Sequence, residues 1–263
     1  MTVSTLKKLS AALFCAALLS APILFARESR ADDAKPMTKA DVEAIVHDYI
    51  LSHPGDILTA VQDYQDKSTQ AHQAEAVKNN HANLYDAPGT PQAGNPKGDV
   101  TLVEFFDYNC GYCKKVGPQI SQLIAEDKNL RVVFKDFPIL GPSSEVAAKW
   151  ALAAQKQGKY FEFFQKMMAN KSPITDELLE KTAADIGMDV KKAKSDIEGT
   201  EALLTIERNR QLASSMDIHG TPAFVIGDEL APGAISIDDM KGLIAKARAD
   251  KAKAADKPAA KTP

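Results

Sequence analysis

The chain contains few cysteines, few histidines and no excess of positive charge, and each shortage argues against a class of function. Its 263 residues include only three cysteines and five histidines. A structural zinc site usually needs four Cys or His ligands, but the main domain offers only Cys110, Cys113 and His219. We therefore expect no metal site. The formal net charge is −3, whereas nucleic-acid-binding proteins are usually basic, so we expect no nucleic-acid partner.

The N-terminus carries an apolar segment with the features of an export signal. Two lysines precede the apolar run at residues 9–25, and a small-x-small sequence follows at residues 29–31. This pattern is typical of a secretory signal peptide. A transmembrane anchor is the alternative, but the run is short for one and contains Pro22. We predict a signal peptide over residues 1–31, cleaved after Ala31, and hence a periplasmic protein.

Cleavage at this point changes both the cysteine content and the charge. Cys15 is removed, so that Cys110 and Cys113 are the only cysteines of the mature chain. Four basic residues and one acidic residue are also removed, which changes the formal net charge from −3 to −6. The mature chain is therefore even less suited to a nucleic-acid partner.

The sequence after the signal has no internal repeat, and residues 38–85 predict a helical arm. The arm has one apolar stripe at helical spacing, formed by Val42, Ile45, Val46, Tyr49 and Ile50. A stripe of this size cannot form a core by itself. It must pack either on the main domain or on a second copy of the chain, and we favour self-association.

The rest of the chain divides into a linker, a domain and a tail. Residues 86–99, rich in proline and glycine, predict a linker. Residues 100–249 predict an α/β domain with a helical insertion at about 142–216. Its predicted elements include strands at 100–106, 131–135 and 223–226 and a closing helix at 237–249. Residues 250–263 contain no large apolar residue and predict a disordered tail.

The stretch VEFFDYNCGYCKK, residues 103–115, places the cysteine pair directly after a strand. A structural disulfide here would close a very short loop and would restrain the chain little. A redox pair fits better, because a helix that begins here would stabilise a thiolate at its N-terminus. We predict that Cys110 is an exposed nucleophile with a lowered pKa and that Cys113 is a buried resolving thiol. Incidental Cu(I) binding stays open.

Two prolines lie where this chemistry would use them. Pro118 falls inside the predicted helix, which it should kink. Pro222 follows Thr221 directly before a predicted strand. A cis bond there would expose the backbone of Thr221 for pairing with an extended substrate beside Cys110. An ordinary strand-opening turn is the alternative.

Glu104 is the third feature, because it interrupts an apolar strand on the face that also carries Leu102 and Phe106. A buried carboxylate has a raised pKa and can exchange protons with Cys113. A position at a strand edge, with the carboxylate in water, is the alternative. Lys135 on the next strand is a candidate partner for Glu104.

Three stretches resemble the DsbA-like family of exported thiol-disulfide oxidoreductases over about residues 100–249. They are FFDYNCGYCKK, RVVFKDFPILGPSSEVAAKWALAAQKQGKYFEF and GTPAFVIGDELAPGAIS. The resemblance implies a thioredoxin fold with an inserted helical domain and a redox-active disulfide, with no other cofactor. It assigns the catalytic roles to Cys110, Cys113 and Glu104. The substrate-binding positions that it implies are Gly111, Tyr112, Thr221 and the cis-proline Pro222.

The arm is similar to that of the suppressor-of-copper-sensitivity C (ScsC) branch of the family. In that branch such an arm mediates oligomerisation, with trimers among the forms, which implies a homo-oligomer (trimer or dimer) through residues 38–85. Gly111-Tyr112 and Thr221 differ from the Pro-His and Val of DsbA itself and resemble the isomerase DsbC. Without that His, Cys110 should be less acidic than in DsbA, which favours isomerisation over oxidation.

The predicted function is therefore a disulfide isomerase or reductase. It would act on disulfide-containing exported proteins, and a membrane redox partner would reset Cys110 and Cys113. A DsbA-like dithiol oxidase is one alternative. A Cu(I)-binding copper-tolerance protein is the alternative of another class, although the sequence has no Met-rich or His-rich cluster.

Overall fold

The computed structural model describes residues 36–255. The signal peptide predicted over residues 1–31, and residues 256–263 of the predicted tail, lie outside the described residues. The chain divides into two compact units, Met1–Ile57 and Leu58–Pro263. Within the described part of both units, no helix combines the length and the hydropathy needed to span a membrane.

The described part of the first unit consists of α1 (Lys39–Ser52) and the first turn of α2 (Pro54–Asn79). Thr38 and Asp41 form a capping box, in which each side chain accepts a hydrogen bond from the backbone N–H of the other residue. Helix α1 buries none of its residues. The side chains of its predicted apolar stripe are all between 45% and 58% exposed.

The second unit is built on a five-stranded mixed sheet with the strand order β1-β3-β2-β4-β5. Its strands are β1 (Gln92–Gly94), β2 (Val100–Phe106), β3 (Leu130–Asp136), β4 (Ala223–Ile226) and β5 (Glu229–Pro232). Strand β2 pairs parallel with β3 and antiparallel with β4. This central position, covered on both faces, explains why the sequence of β2 is an almost continuous apolar run.

The described part of the second unit contains the rest of α2 and eight further helices. They are α3 (His81–Tyr85), α4 (Gly111–Glu126), α5 (Pro142–Lys156), α6 (Tyr160–Ala169), α7 (Asp176–Asp185), α8 (Val190–Glu198), α9 (Thr200–Ser215) and α10 (Ile237–Ala255). Helices α5 to α9 form the insertion predicted at about 142–216. Helices α4 and α6 approach closely at Gly117, where a Cβ atom would lie 2.7 Å from the Cβ of Met168.

The two faces of the sheet belong to different apolar clusters. Leu102 and Phe106 face a large cluster that includes residues of α4, α5 and α6. The opposite face of β2 packs in a cluster with Val77, Leu84 and Tyr85. The predicted arm of residues 38–85 is therefore not a single body, because its last residues are part of the core of the second unit.

Two predicted segments need correction. The predicted linker at residues 86–99 contains β1, which pairs antiparallel with β3. Because backbone hydrogen bonds hold this short strand, its sequence needs no apolar pattern. The predicted tail begins too early, because α10 continues to Ala255. Alanine and lysine are strong helix formers. In addition, Arg248 donates a hydrogen bond to the Asp99 carboxylate, and Lys251 donates one to the main-chain carbonyl of Asp99.

Candidate active site

The cysteine pair lies where the chain passes from β2 into α4. Cys110 is the N-cap residue of α4, and its Sγ accepts a hydrogen bond from the backbone N–H of Cys113 at 3.3 Å. Both residues are free thiols in this structure. Backbone N–H groups at a helix N-terminus stabilise a nearby negative charge. The position thus suits a sulfur that reacts as a thiolate.

Cys110 is more buried than the sequence predicts. Only 5% of the residue is exposed, because the backbone carbonyl of Thr221 lies against it and accepts a hydrogen bond from Sγ at 3.3 Å. Cys113 is completely buried. The prediction of an exposed Cys110 was wrong in degree, but Cys110 is still the more accessible of the two sulfurs. A partner disulfide therefore meets Cys110 before Cys113.

The fold brings Thr221 and Pro222 to Cys110 from 111 positions away in the sequence. The peptide bond between Thr221 and Pro222 is cis. The carbonyl of Pro222 accepts a hydrogen bond from the backbone N–H of Gly233 at 2.8 Å, which ties this loop to the end of β5. The loop is thus fixed to the sheet on one side and to the cysteine on the other.

The two residues between the cysteines leave the site open. Gly111 has free space where a Cβ atom would lie. Tyr112 is 61% exposed, and the Lys115 Nζ lies 5.4 Å from the centre of its ring. Helix α4 continues through Pro118 without interruption, and the missing N–H of Pro118 removes one bond of its ladder. The kink remains a prediction.

Glu104 lies beneath the cysteine pair on the central strand and is completely buried. The alternative of a strand-edge carboxylate in water therefore does not hold. Burial, with a smaller contribution from the nearby Cys110, raises the pKa of Glu104 to about 8. Burial also raises the pKa of Cys113 strongly, with a second contribution from the charge of Glu104. The carboxyl group and the buried thiol thus compete for ionisation in one apolar region.

Lys135 is not the partner of Glu104. In the β2–β3 register Glu104 pairs with Phe134, and Lys135 pairs with Phe105, so the two side chains lie on opposite faces of the sheet. The Nζ of Lys135 instead donates a hydrogen bond to the carbonyl of Asn83 at 2.7 Å. Burial, followed by the nearby positive charges, lowers the pKa of Lys135 to about 8.

Asp107 is a site residue that the sequence analysis missed. Its Oδ2 accepts hydrogen bonds from the backbone N–H groups of Ile139 and Leu140 at 2.8 and 2.9 Å. Its Oδ1 accepts from the N–H of Asn109 and the hydroxyl of Ser144, both at 2.7 Å. This buried carboxylate holds the loop before Cys110 against the start of the insertion. The available signal was an aspartate that interrupts aromatic residues directly after the apolar strand.

Comparison with known proteins shows the family. Residues 101–245 match the DSBA-like thioredoxin domain. The chain belongs to the DsbA-like thioredoxin family. A solved member, a thioredoxin-like oxidoreductase from Silicibacter pomeroyi DSS-3, is 37% identical with a TM-score of 0.62, and the match covers 64% of this chain and 97% of that one. The thioredoxin-like fold predicted from the sequence is thereby confirmed.

The proteins similar to this chain include both small and large ones. A linker-deletion variant of ScsC from Proteus mirabilis is 26% identical with a TM-score of 0.65, and the match covers 82% of this chain and 99% of that one. The Na(+)/H(+) antiporter NhaA 1 of Salinispora arenicola is 25% identical over 156 residues, 59% of this chain. The chain spans only 24% of that antiporter, about a quarter of its length.

Among residues 36–255, no group of three or more His, Cys, Asp or Glu side chains is placed to hold a metal ion.

Glu104→Gln should change how the stability of the reduced protein depends on pH. The pKa of Glu104 rises from 4.5 in the unfolded chain to about 8 in the fold. Between these values the unfolded state ionises while the folded state keeps its proton, so the wild-type protein loses stability as pH rises. We expect the stability of E104Q relative to wild type to increase by about 2 to 3 kcal/mol between pH 5 and pH 7.

Urea unfolding of the reduced proteins at several pH values measures this difference. Glu162→Gln is the matched control, because Glu162 is an exposed acid whose side chain is 49% accessible. E162Q should follow the wild-type pH dependence. Parallel curves for E104Q and wild type would show that Glu104 ionises in the fold as it does in water.

Proposed function

We propose that this chain is an exported protein thiol-disulfide oxidoreductase that works as a disulfide isomerase or reductase. One observation carries the proposal: the Sγ of Cys110 lies at the N-terminus of α4, bonded to the N–H of Cys113 on one side and to the carbonyl of Thr221 on the other. This arrangement leaves the sulfur of Cys110 accessible to a substrate and keeps the sulfur of Cys113 buried. Membership of the DsbA-like family supports it.

The exchange begins with the thiolate of Cys110. It attacks one sulfur of a substrate disulfide, a new S–S bond forms, and the other substrate sulfur leaves as a thiolate. In isomerisation, a different substrate thiolate then attacks the substrate sulfur that is bonded to Cys110. A new substrate disulfide forms, the mixed S–S bond breaks, and Cys110 leaves as a thiolate. No net oxidation or reduction of the substrate occurs along this route.

The reductive route uses Cys113. Its thiol transfers a proton to ionised Glu104, and the resulting thiolate attacks the Sγ of Cys110 in the mixed disulfide. The bond to the substrate breaks and the substrate sulfur leaves as a thiolate. Cys110 and Cys113 are then oxidised to a disulfide, and the substrate disulfide has been reduced to two thiols. A redox partner at the membrane must reduce the pair again.

The residues around Cys110 favour isomerisation over oxidation. Tyr112 places no ionisable base between the cysteines, unlike the histidine of DsbA, so one source of thiolate stabilisation is missing. A less stabilised thiolate makes the reduced form less favoured and the protein a weaker oxidant. The exposed stripe on α1 supports a homo-oligomer, in which several such sites face one substrate. The signal-like residues 1–31 support action in the periplasm.

Refolding of a scrambled-disulfide protein by the full mature chain tests the proposal. With Cys110 and Cys113 reduced, the chain should restore native pairing at catalytic rather than stoichiometric amounts. The double variant C110S/C113S, which lacks both sulfurs, is the negative control. Oxidation of a reduced substrate without any isomerisation would identify a dithiol oxidase. Stoichiometric Cu(I) binding without turnover of disulfides would identify a copper-handling protein.

A further inference from the structure

A second buried carboxyl group lies on the α4 side of the sheet, and the mechanism above does not use it. In the parallel register of β2 and β3, Glu104 pairs with Phe134 and Phe106 pairs with Asp136. Since alternate residues of a strand share a face, Glu104 and Asp136 lie on the same face of neighbouring strands. They are 0% and 1% exposed. The two carboxyl groups are therefore diagonal neighbours in one apolar layer.

Two buried phenols accompany these carboxyl groups. The hydroxyl of Tyr160 donates a hydrogen bond to the Oδ2 of Asp136 at 2.8 Å. Burial raises the pKa of Tyr108 strongly, and the charges of Asp136 and Glu104 both contribute, so this phenol lies near both acids. Within residues 36–255, one Asp136 oxygen and both Glu104 oxygens have no hydrogen-bond partner. Folded proteins rarely leave buried polar atoms unpaired, so their concentration here indicates a functional cluster.

Among residues 36–255, the groups placed around Asp136 include no cation. The strand register puts Glu104 on the same face from β2. Tyr108 and Asp107 come from the following loop, and Tyr160 comes from α6. Helix α4 contributes the Cys113 thiol to the same apolar layer. The amide of Asn209 on α9 bonds only the main-chain carbonyl of Asp136, β1 consists of Gln92, Ala93 and Gly94, and Lys135 lies on the opposite face. Two carboxyl groups in such surroundings cannot both ionise readily.

We propose that Asp136 is a positioning residue for thiol-disulfide exchange, because it forms with Glu104 a buried carboxyl pair that keeps one proton and thereby controls when Glu104 can accept the proton of Cys113. The inference rests on the proposed function and extends it. Burial raises the pKa of Asp136 to about 7, close to the value of about 8 for Glu104. Both groups therefore change protonation near neutral pH.

The pair acts on the resolving step. When Asp136 is ionised, its charge opposes the ionisation of Glu104, and the proton of Cys113 has no acceptor. When Asp136 holds the proton, Glu104 can ionise and take the proton of Cys113. The Cys113 thiolate then attacks the Sγ of Cys110, and the substrate sulfur leaves with the electron pair of the broken S–S bond.

Carbon-13 NMR of the side-chain carboxyl groups in the reduced, full mature chain tests the pair without any activity measurement. The carboxyl carbon of Asp136 should titrate above pH 6. D136N should lower the midpoint of Glu104, because Asp136 ionises first and its charge opposes the ionisation of Glu104. An Asp136 that titrates near 4, as a carboxyl group in water does, would overturn the proposal. So would a Glu104 midpoint that D136N leaves unchanged.

The pH dependence of substrate release from the mixed disulfide with Cys110 tests whether the carboxyl pair controls the resolving step. Asp136→Asn should lower the midpoint of this profile by about one pH unit, because it removes a charge that opposes Glu104. D136N in the E104Q background should produce no further change. Thr182→Val, a buried polar substitution in α7, is the control for lost stability and should leave the midpoint unchanged.

Tyr160→Phe keeps the test decisive if D136N does not fold. Loss of the hydrogen bond to Asp136 keeps that carboxyl group protonated to higher pH, so the midpoint should move in the same direction by a smaller amount. A folded D136N or Y160F protein with the wild-type midpoint would overturn the role of Asp136. If the wild-type chain forms no mixed disulfide at all, the proposed function fails, and the NMR titration still decides whether the carboxyl pair exists.

Discussion

A Cys113→Ser variant should accumulate a covalent mixed disulfide with its substrate, whereas Cys110→Ser should lose exchange activity by about 10³-fold or more. Cys110 keeps 5% exposure and caps α4, so it can still attack a substrate disulfide when Cys113 is absent. Without the Cys113 thiolate, nothing in the site can attack the mixed disulfide from within. Cys113 alone is completely buried and cannot reach a substrate sulfur.

Mass spectrometry under non-reducing conditions measures the trapped species. A disulfide-containing peptide is mixed with each reduced variant, and the mass of the adduct and its attachment site are followed over time. The wild-type chain should show only a transient adduct, and C110S/C113S should show none. Equal amounts of adduct on C110S and C113S, or full exchange activity in both, would contradict the assignment of the nucleophile.

The strands and the cysteine pair were predictable because their signals are local. Strands β2 and β4 have the predicted bounds, since each is a continuous or almost continuous apolar run. The position of Cys110 at a helix N-terminus follows from a strand that ends a few residues before it. The predicted burial of Glu104 also followed from position, because a charged residue inside a central strand has no route to water.

The rest of the site depends on contacts between residues far apart in the sequence. Cys110 is nearly buried because Thr221, 111 positions away, covers it. The role of Asp107 depends on N–H groups of the segment before α5, more than 30 residues later. The wrong pairing of Lys135 with Glu104 has a simpler cause. A shift of one residue in strand register transfers a side chain to the opposite face, and the sequence alone did not define the register.

The arm calls for a test by substitution, because deletion would damage the domain. A chain that starts at Asp86 would lose Val77, Leu84 and Tyr85, which are buried in the core of the second unit. It would also lose the hydrogen bond from the Tyr85 hydroxyl to the carbonyl of Gly227 at 2.8 Å. Lost activity in such a fragment would not distinguish a missing oligomer from a destabilised domain.

Ile45→Asp in the full mature chain should therefore convert an oligomer into single chains and abolish isomerisation while leaving dithiol oxidation intact. Ile45 is 58% exposed at the centre of the apolar stripe of α1. A second copy that covers the stripe would bury an unpaired carboxylate, at a cost of about 3 to 5 kcal/mol per contact. Ala44→Asp is the matched control, because residue 44 lies on the opposite face of the same helix.

Sedimentation equilibrium and the refolding of a scrambled-disulfide protein, measured on the same samples, decide the outcome. Wild type and A44D should have a mass that is a small multiple of one chain, and both should isomerise. I45D should have the mass of one chain and should still oxidise a reduced substrate, because Cys110 and Cys113 lie in the second unit. If the wild type has the mass of one chain, and if it and I45D isomerise equally well, one site is enough for isomerisation. The stripe would then have no part in isomerisation, because a lone Cys110 would hold a substrate long enough for its own thiols to rearrange.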